Sequence, residues 1–181
     1  MSAREELLQV IRDYGVVRGP VKWSDGRPSD YYLDMRRVAL GAASAPLVGQ
    51  VMLDLVADLD FEAMGGLTMN ADPIATAMLH VARSQGRMLD AFVVRTEGAA
   101  HGLQKQIEGP DIAGRRVLLV EDTCTTGNSV LTALHAVVAA GAIPVAVAVV
   151  ADRDTGAQAK VEAAGVEYRS AYWVHELGIE K

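Results

Sequence analysis

The chain has 181 residues, half of them apolar and 22% charged, which suits one soluble α/β domain with a sizeable core. A net charge of −6 and a pI near 5.2 exclude nucleic acid as an obligatory partner, since that needs a basic face. The longest apolar run, 143–151, is too short to cross a bilayer, the acidic N-terminus has no signal-length apolar core, and the single cysteine, Cys124, cannot close an internal disulfide, so the expected setting is the cytoplasm.

Ser2 and Glu5 form a capping box, and Leu7, Leu8, Ile11 and Tyr14 follow at helical spacing, so a first helix is expected to end at Gly15. Residues 16–30 read as irregular, with turn signals at Gly19-Pro20 and Asp25-Gly26, and 31–34 as a short aromatic strand. Ser44 is placed to cap a second helix with Pro46 in its first turn and Leu47, Val48, Val51, Met52, Leu55 and Val56 on one face. Strands and helices then alternate. Strands are expected at 63–67, 90–95, 117–121, 143–152 and 167–173, and helices from Asp72-Pro73 to about Gln85, over 128–140 and over 155–164. Residues 96–114 have no clear period. Strand 143–152 is almost wholly apolar, as expected when helices cover both of its faces. The pattern predicts an α/β fold with a doubly wound, mainly parallel sheet, about 60–175, flanked by helices, with residues 1–45 as a small appended lobe, all within one domain over 1–181. Ligands of such sheets bind beyond the carboxyl ends of the strands, where Arg95, Glu121-Asp122 and Asp152-Arg153 should converge.

The chain is organised around VLLVEDTCTTGNSV at 117–130. A buried strand ends in two acids, and a small polar loop leads into a helix. Thr125, Thr126, Gly127, Asn128 and Ser129 offer hydroxyls and successive N–H groups at a helix start, an anion nest suited to a phosphate monoester. No lysine follows the glycine, which excludes the nucleotide-triphosphate loop. Glu121 and Asp122 would repel each other if both were buried, and a sugar diol with a cation nearby would relieve that. A plain capped helix behind a buried strand is the bland alternative. A receiver-type signalling domain also ends a strand in paired acids, but too little chain follows Asp122 for its downstream parts.

This stretch resembles the phosphoribosyl-pyrophosphate (PRPP) signature of type I phosphoribosyltransferases. SDGRPSDYYLD (24–34), GGLTMNADPIATA (65–77), RTEGAAHGLQKQIEGP (95–110) and VADRDTGA (150–157) resemble, in order, further segments of the orotate phosphoribosyltransferases. The resemblance covers nearly the whole chain. It implies the type I phosphoribosyltransferase fold, with the N-terminal lobe as a hood, and transfer of the 5-phosphoribosyl group from PRPP to orotate, giving orotidine 5′-monophosphate and pyrophosphate in pyrimidine biosynthesis. It implies that Glu121 and Asp122 hold the ribose hydroxyls, and that Thr123, Thr125, Thr126, Gly127, Asn128 and Ser129 bind PRPP, the phosphate lying on 125–129. Arg95 and His101 would face the pyrophosphate and, with Asp122, act in catalysis. Arg153 would pair with the orotate carboxylate, with Thr125, Tyr31 and Tyr32 at the base. It further implies Mg²⁺ carried by PRPP and water near Glu121 and Asp122, without direct side-chain ligation, and a homodimer whose mobile loops close over each other's sites.

The chain departs from the family pattern in its loop. Thr96 and Ala99 stand where the family carries two lysines, Asn70 replaces another, and a fourth falls near Ser24. One preorganised donor to the developing charge is typically worth about 2.7–4 kcal/mol. Two readings follow within one fold: a transferase with reorganised loop charges, in which Arg36, Arg37 or Lys105 compensates, or a divergent paralogue that keeps the sugar-phosphate site with altered transfer chemistry. A DNA-binding regulator is disfavoured by the acidic pI and the lack of an added helix-turn-helix.

Overall fold

A computed structural model describes residues 1–22, 26, 28–96 and 106–179. The capping box forms as read: the Glu5 N–H donates to Ser2 Oγ at 3.2 Å and the Ser2 N–H to the Glu5 carboxylate at 2.7 Å. Helix α1, Ala3–Val10, runs into a π-helical turn, Ile11–Gly15, and Leu7 and Ile11 are fully buried. Burying each such side chain stabilises the fold by roughly 1.5–3 kcal/mol.

The next segment corrects the expected irregular stretch. Strands β1, Val16–Lys22, and β2, Pro28–Leu33, pair antiparallel, with Val17 opposite Tyr32 and Arg18 opposite Tyr31. The Gly19-Pro20 signal marks a break in register between Arg18 and Val21 inside a strand, not a loop. The hairpin is largely half-exposed, so its sequence lacks the apolar alternation that announces a strand. A single turn of helix, α2 (Arg36–Ala39), precedes α3, Ala45–Leu55. Ser44 stands at the start of α3 but does not cap it. Its hydroxyl donates instead to the Val38 carbonyl at 2.6 Å, tying α2 to α3.

The six-stranded sheet contains β3 (Ala63–Leu67), β4 (Asp90–Val94), β5 (Ile107–Glu108), β6 (Arg116–Cys124), β7 (Ile143–Asp152) and β8 (Glu167–Trp173), ordered β5-β4-β3-β6-β7-β8. All neighbours are parallel except the short β5, which runs antiparallel to β4. Helices α4 (Ala71–Ser84), α5 (Asn128–Ala139) and α6 (Ala157–Ala163) connect the strands. One apolar layer joins Leu118 and Val120 to Ile74 and Met78 of α4 and Val48 and Met52 of α3. The other joins Val117 and Leu119 to Val130, Leu134 and Val137 of α5. This is the expected doubly wound sheet. From β3 the chain first moves outward to β4 and then returns to the other side at β6, so the topological switch lies between β3 and β6, where such sheets open a crevice. Gly66 permits close packing there: a Cβ at this position would meet the Val120 carbonyl oxygen at 2.3 Å and the Ala71 side chain at 2.8 Å.

Candidate active site

Strand β6 is longer than the sequence pattern suggests. It stays paired with β7 through Cys124 opposite Asp152, so Glu121 and Asp122 lie within the strand, not beyond its end. Alternation therefore sets Asp122 on the side of Leu118 and Val120, and Glu121 on the side of Leu119. Both are buried, at 2% and 5% exposure. Burial and the neighbouring Asp122 charge hold the Glu121 carboxyl well above its usual range, partly offset by hydrogen bonds from the Asp122 N–H and the Asn70 side chain. Burial also raises Asp122, opposed by the Thr123 N–H at 2.5 Å, the Thr123 hydroxyl at 3.2 Å and the Arg36 charge. Two acids that resist ionising together suit a ligand that brings hydroxyl donors or a cation.

After Cys124 the chain turns through 125–127 into α5. Gly127 takes φ +77°, a left-handed conformation that costs other residues roughly 1–2 kcal/mol, and a Cβ there would meet Ala157 at 3.4 Å. The first N–H groups of α5 have no intrahelical acceptor and carry the positive end of its dipole. Lys160 of α6 reaches the Asn128 side-chain oxygen at 3.3 Å, bringing a cation to the helix start that the motif did not reveal, because it lies 32 residues away in sequence. The Thr155 hydroxyl donates to the Thr125 carbonyl, linking this loop to the turn after β7.

A cavity of about 260 Å³ opens at this point. Its walls are Glu121 and Thr123 to Ser129 on one side, and Tyr32, Asn70 and Arg153 on the others. Arg153 is buried, its N–H donates to the Cys124 carbonyl at 3.0 Å, and its guanidinium carbon stands 5.5 Å from the Tyr31 ring, within cation–π range. Tyr32 accepts from Arg36 at 3.1 Å, and Arg36 also pairs with Asp34 at 3.3 Å. The hairpin thus brings its two tyrosines over the crevice from a part of the chain some 90 residues before the phosphate loop. Cys124 is buried in the core under α5 and α6, and burial pushes its thiol up to about 11, so it serves as a packing residue.

Arg95 is not among the cavity walls. It follows β4, its N–H donates to the Gln106 carbonyl at 2.8 Å, and its half-exposed side chain faces Glu108 at 3.8 Å. His101, Ala99 and Ser24 lie outside the described residues. Asn70 was read only as the place of a missing lysine; it proves to be a cavity wall bonded to Glu121. Asp72, read as the start of its helix, lies inside the first turn: α4 opens after Asn70, and Asp72 accepts from the Thr68 hydroxyl at 2.6 Å. A larger groove, about 690 Å³, runs between α2–α3 and α4, but its walls are mainly Ala39, Leu40, Pro46, Ala77 and Val81 and offer little to grip a sugar phosphate. Among the described residues no group of three or more histidine, cysteine or acidic side chains is placed to hold a metal ion, and no helix is long and apolar enough to cross a membrane.

The switch-point crevice, with an N–H-rich loop at a helix start and paired acids, is joined by a family match: residues 65–175 match the phosphoribosyl transferase domain family, which defines the class of protein. Orotate phosphoribosyltransferase from Streptomyces avermitilis is 61% identical over 180 residues, covering 99% of each chain. The Mycobacterium tuberculosis protein of that name is 50% identical over 177 residues, 98% of this chain and 97% of the other. A crystal structure of the M. tuberculosis enzyme in complex with PRPP aligns with a TM-score of 0.85 at 47% identity, over 98% of this chain and 100% of the other. The chain belongs to the orotate phosphoribosyltransferase family.

Proposed function

We propose that this chain transfers the 5-phosphoribosyl group of PRPP to orotate, forming orotidine 5′-monophosphate and releasing pyrophosphate. One observation carries the reading: the buried acid Glu121, an N–H-rich loop at a helix start and a buried guanidinium line one small cavity, and a second buried acid, Asp122, follows Glu121 in the same strand. Each meets a different part of the two substrates. Glu121 and Asp122 receive the ribose hydroxyls. Thr123, Thr125, Thr126, Gly127, Asn128 and Ser129 hold the 5′-phosphate on their amides and hydroxyls. Arg153 takes the orotate carboxylate as a fork, with Thr125, Tyr31 and Tyr32 around the ring. A relative 47% identical to this chain has been crystallised with PRPP, which supports the sugar-phosphate half of the assignment.

In the transfer the bond from the anomeric carbon to pyrophosphate breaks, the bond to a ring nitrogen of orotate forms as that nitrogen loses its proton to pyrophosphate or water, and the ribose passes through an oxocarbenium-like state. The nearby carboxylate of Asp122 stabilises that positive charge, while Arg95 and His101 face the departing pyrophosphate. Glu121 and Asp122 would lie beside Mg²⁺ carried by PRPP and water, which would supply neutralisation of the leaving-group charge. The two buried acids fit such a cation because burial raises the cost of ionising both and the Asp122 charge adds to the cost at Glu121. Residues 1–45 act as the hood and 60–175 as the core of one domain. The enzyme works as a homodimer in the cytoplasm, a setting in keeping with its one buried cysteine.

A coupled assay tests this directly. Orotate should be consumed only when both PRPP and Mg²⁺ are present. If orotate is untouched while calorimetry still detects PRPP binding, the chain is instead a paralogue that keeps the sugar-phosphate site.

A further inference from the structure

The turn that carries Arg153 is anchored from beneath by two buried groups that the transfer chemistry leaves without a role. Asp152 ends β7 and is 1% exposed; Tyr168, on the neighbouring strand β8, is buried as well. The Tyr168 hydroxyl donates to Asp152 Oδ2. The other carboxylate oxygen, Oδ1, accepts from the Asp154 N–H at 2.5 Å. One carboxylate therefore ties β8, the edge strand beside β7, to the backbone immediately beyond Arg153. Before Arg153 the chain is held by its N–H bond to the Cys124 carbonyl at 3.0 Å. Between these anchors Asp154 takes φ +55°, a region few residues other than glycine adopt, so the turn keeps its shape through its bonds and not through local preference. Burial pushes the Tyr168 hydroxyl far up, which keeps it a donor at every physiological pH.

We propose that Asp152 and Tyr168 form a positioning pair that aims the Arg153 guanidinium at the acceptor's carboxylate, and so set acceptor affinity without touching the acceptor. The physical requirement is alignment. A guanidinium meets a carboxylate through two parallel hydrogen bonds, and a site loose by a fraction of an ångström loses one of them. Neither residue lines the cavity that holds the 125–129 loop, so the expected effect is on the acceptor that Arg153 meets. The inference rests on the reading of Arg153 as the carboxylate clamp.

The test measures KM for orotate and for PRPP, with kcat, in Tyr168→Phe, Arg153→Lys and the double variant. Tyr168→Phe removes one hydroxyl and keeps the ring. Its KM for orotate should rise about 10-fold, the worth of one hydrogen bond to a charged group, with KM for PRPP unchanged. Arg153→Lys keeps the charge and loses the fork, and it too should raise KM for orotate. The double variant should show less than the product of the two rises, because both act through one contact. If Arg153→Lys raises KM for orotate and Tyr168→Phe does not, the positioning pair is overturned while the clamp stands. If Arg153→Lys leaves KM for orotate unchanged, the clamp reading fails and the pair falls with it. A parallel rise in both KM values for Tyr168→Phe indicates a general structural role and also overturns the inference. Asp152→Asn keeps one oxygen to accept from the Asp154 N–H and replaces the other with an amide N–H that can donate to the Tyr168 hydroxyl oxygen, so its KM for orotate should rise less than that of Asp152→Ala; equal losses would overturn the proposal even if Tyr168→Phe failed to fold.

Discussion

Glu121 has its carboxyl inside the protein, with Asp122 beside it and a hydrogen bond from Asn70 as partial relief. Its folded pKa lies above its unfolded value, so the sign of its effect follows. Below about pH 4 both states are protonated and the group costs nothing; as pH rises through the folded value the unfolded state ionises freely and the fold loses stability. We expect Glu121→Gln to raise the unfolding midpoint of the unliganded protein at pH 8 and to have little effect near pH 4. Each tenfold displacement of the proton equilibrium is worth about 1.4 kcal/mol, or roughly 3–5 °C for a chain of this size. The same substitution should weaken PRPP binding in calorimetry. A midpoint unchanged at pH 8 would show that the carboxyl is not strained in the free protein. A raised midpoint together with weaker PRPP binding would show that the site trades stability for affinity, as functional carboxylates often do. That two acids sit together at the carboxyl edge of the sheet was legible from their adjacency at the end of an apolar run. That they point to opposite faces of the sheet was not, because it depends on how far β6 stays paired with β7.

Among the elements, the loop after β4 poses the clearest chemical question. Arg95 is retained, but Thr96 and Ala99 occupy the places of family lysines, and leaving-group charge needs donors. Installing both lysines, Thr96→Lys with Ala99→Lys, should raise turnover at least ~10²-fold, the scale of one preorganised donor. An unchanged rate in a steady-state assay would mean that other cations already serve. Arg36 is then the first to test, since it stands beside Tyr32 and its charge reaches Asp122. The core strands and helices were legible because burial on both sheet faces leaves long apolar runs and the helices are amphipathic. The β1–β2 hairpin was not, since a half-exposed two-stranded ribbon takes its stability from pairing and from what it covers.

For the whole molecule, the groove between α2–α3 and α4 bears on assembly. Its apolar walls and the 70% exposed Leu40 leave surface that a second copy would cover. We expect sedimentation to give twice the 19.2 kDa chain mass, and Leu40→Asp to shift the protein toward monomer. If loops are shared between protomers, turnover should fall in step with dissociation. A monomer at micromolar concentration with full activity would refute the shared-site dimer.

Local chemistry and periodicity determined the sheet class, the order of the core elements and the phosphate loop, because each depends on residues that are neighbours in the chain. Convergence was settled in three dimensions. Tyr32, Arg153 and Asn70 share a cavity with the 125–129 loop only because the strand order reverses between β3 and β6 and the hairpin folds back over that crevice. The Asp152–Tyr168 bond depends on the register of two parallel strands, and no pattern in either strand announces it. Register and crossover are properties of pairing between distant segments, so one-dimensional spacing carries no signal for them.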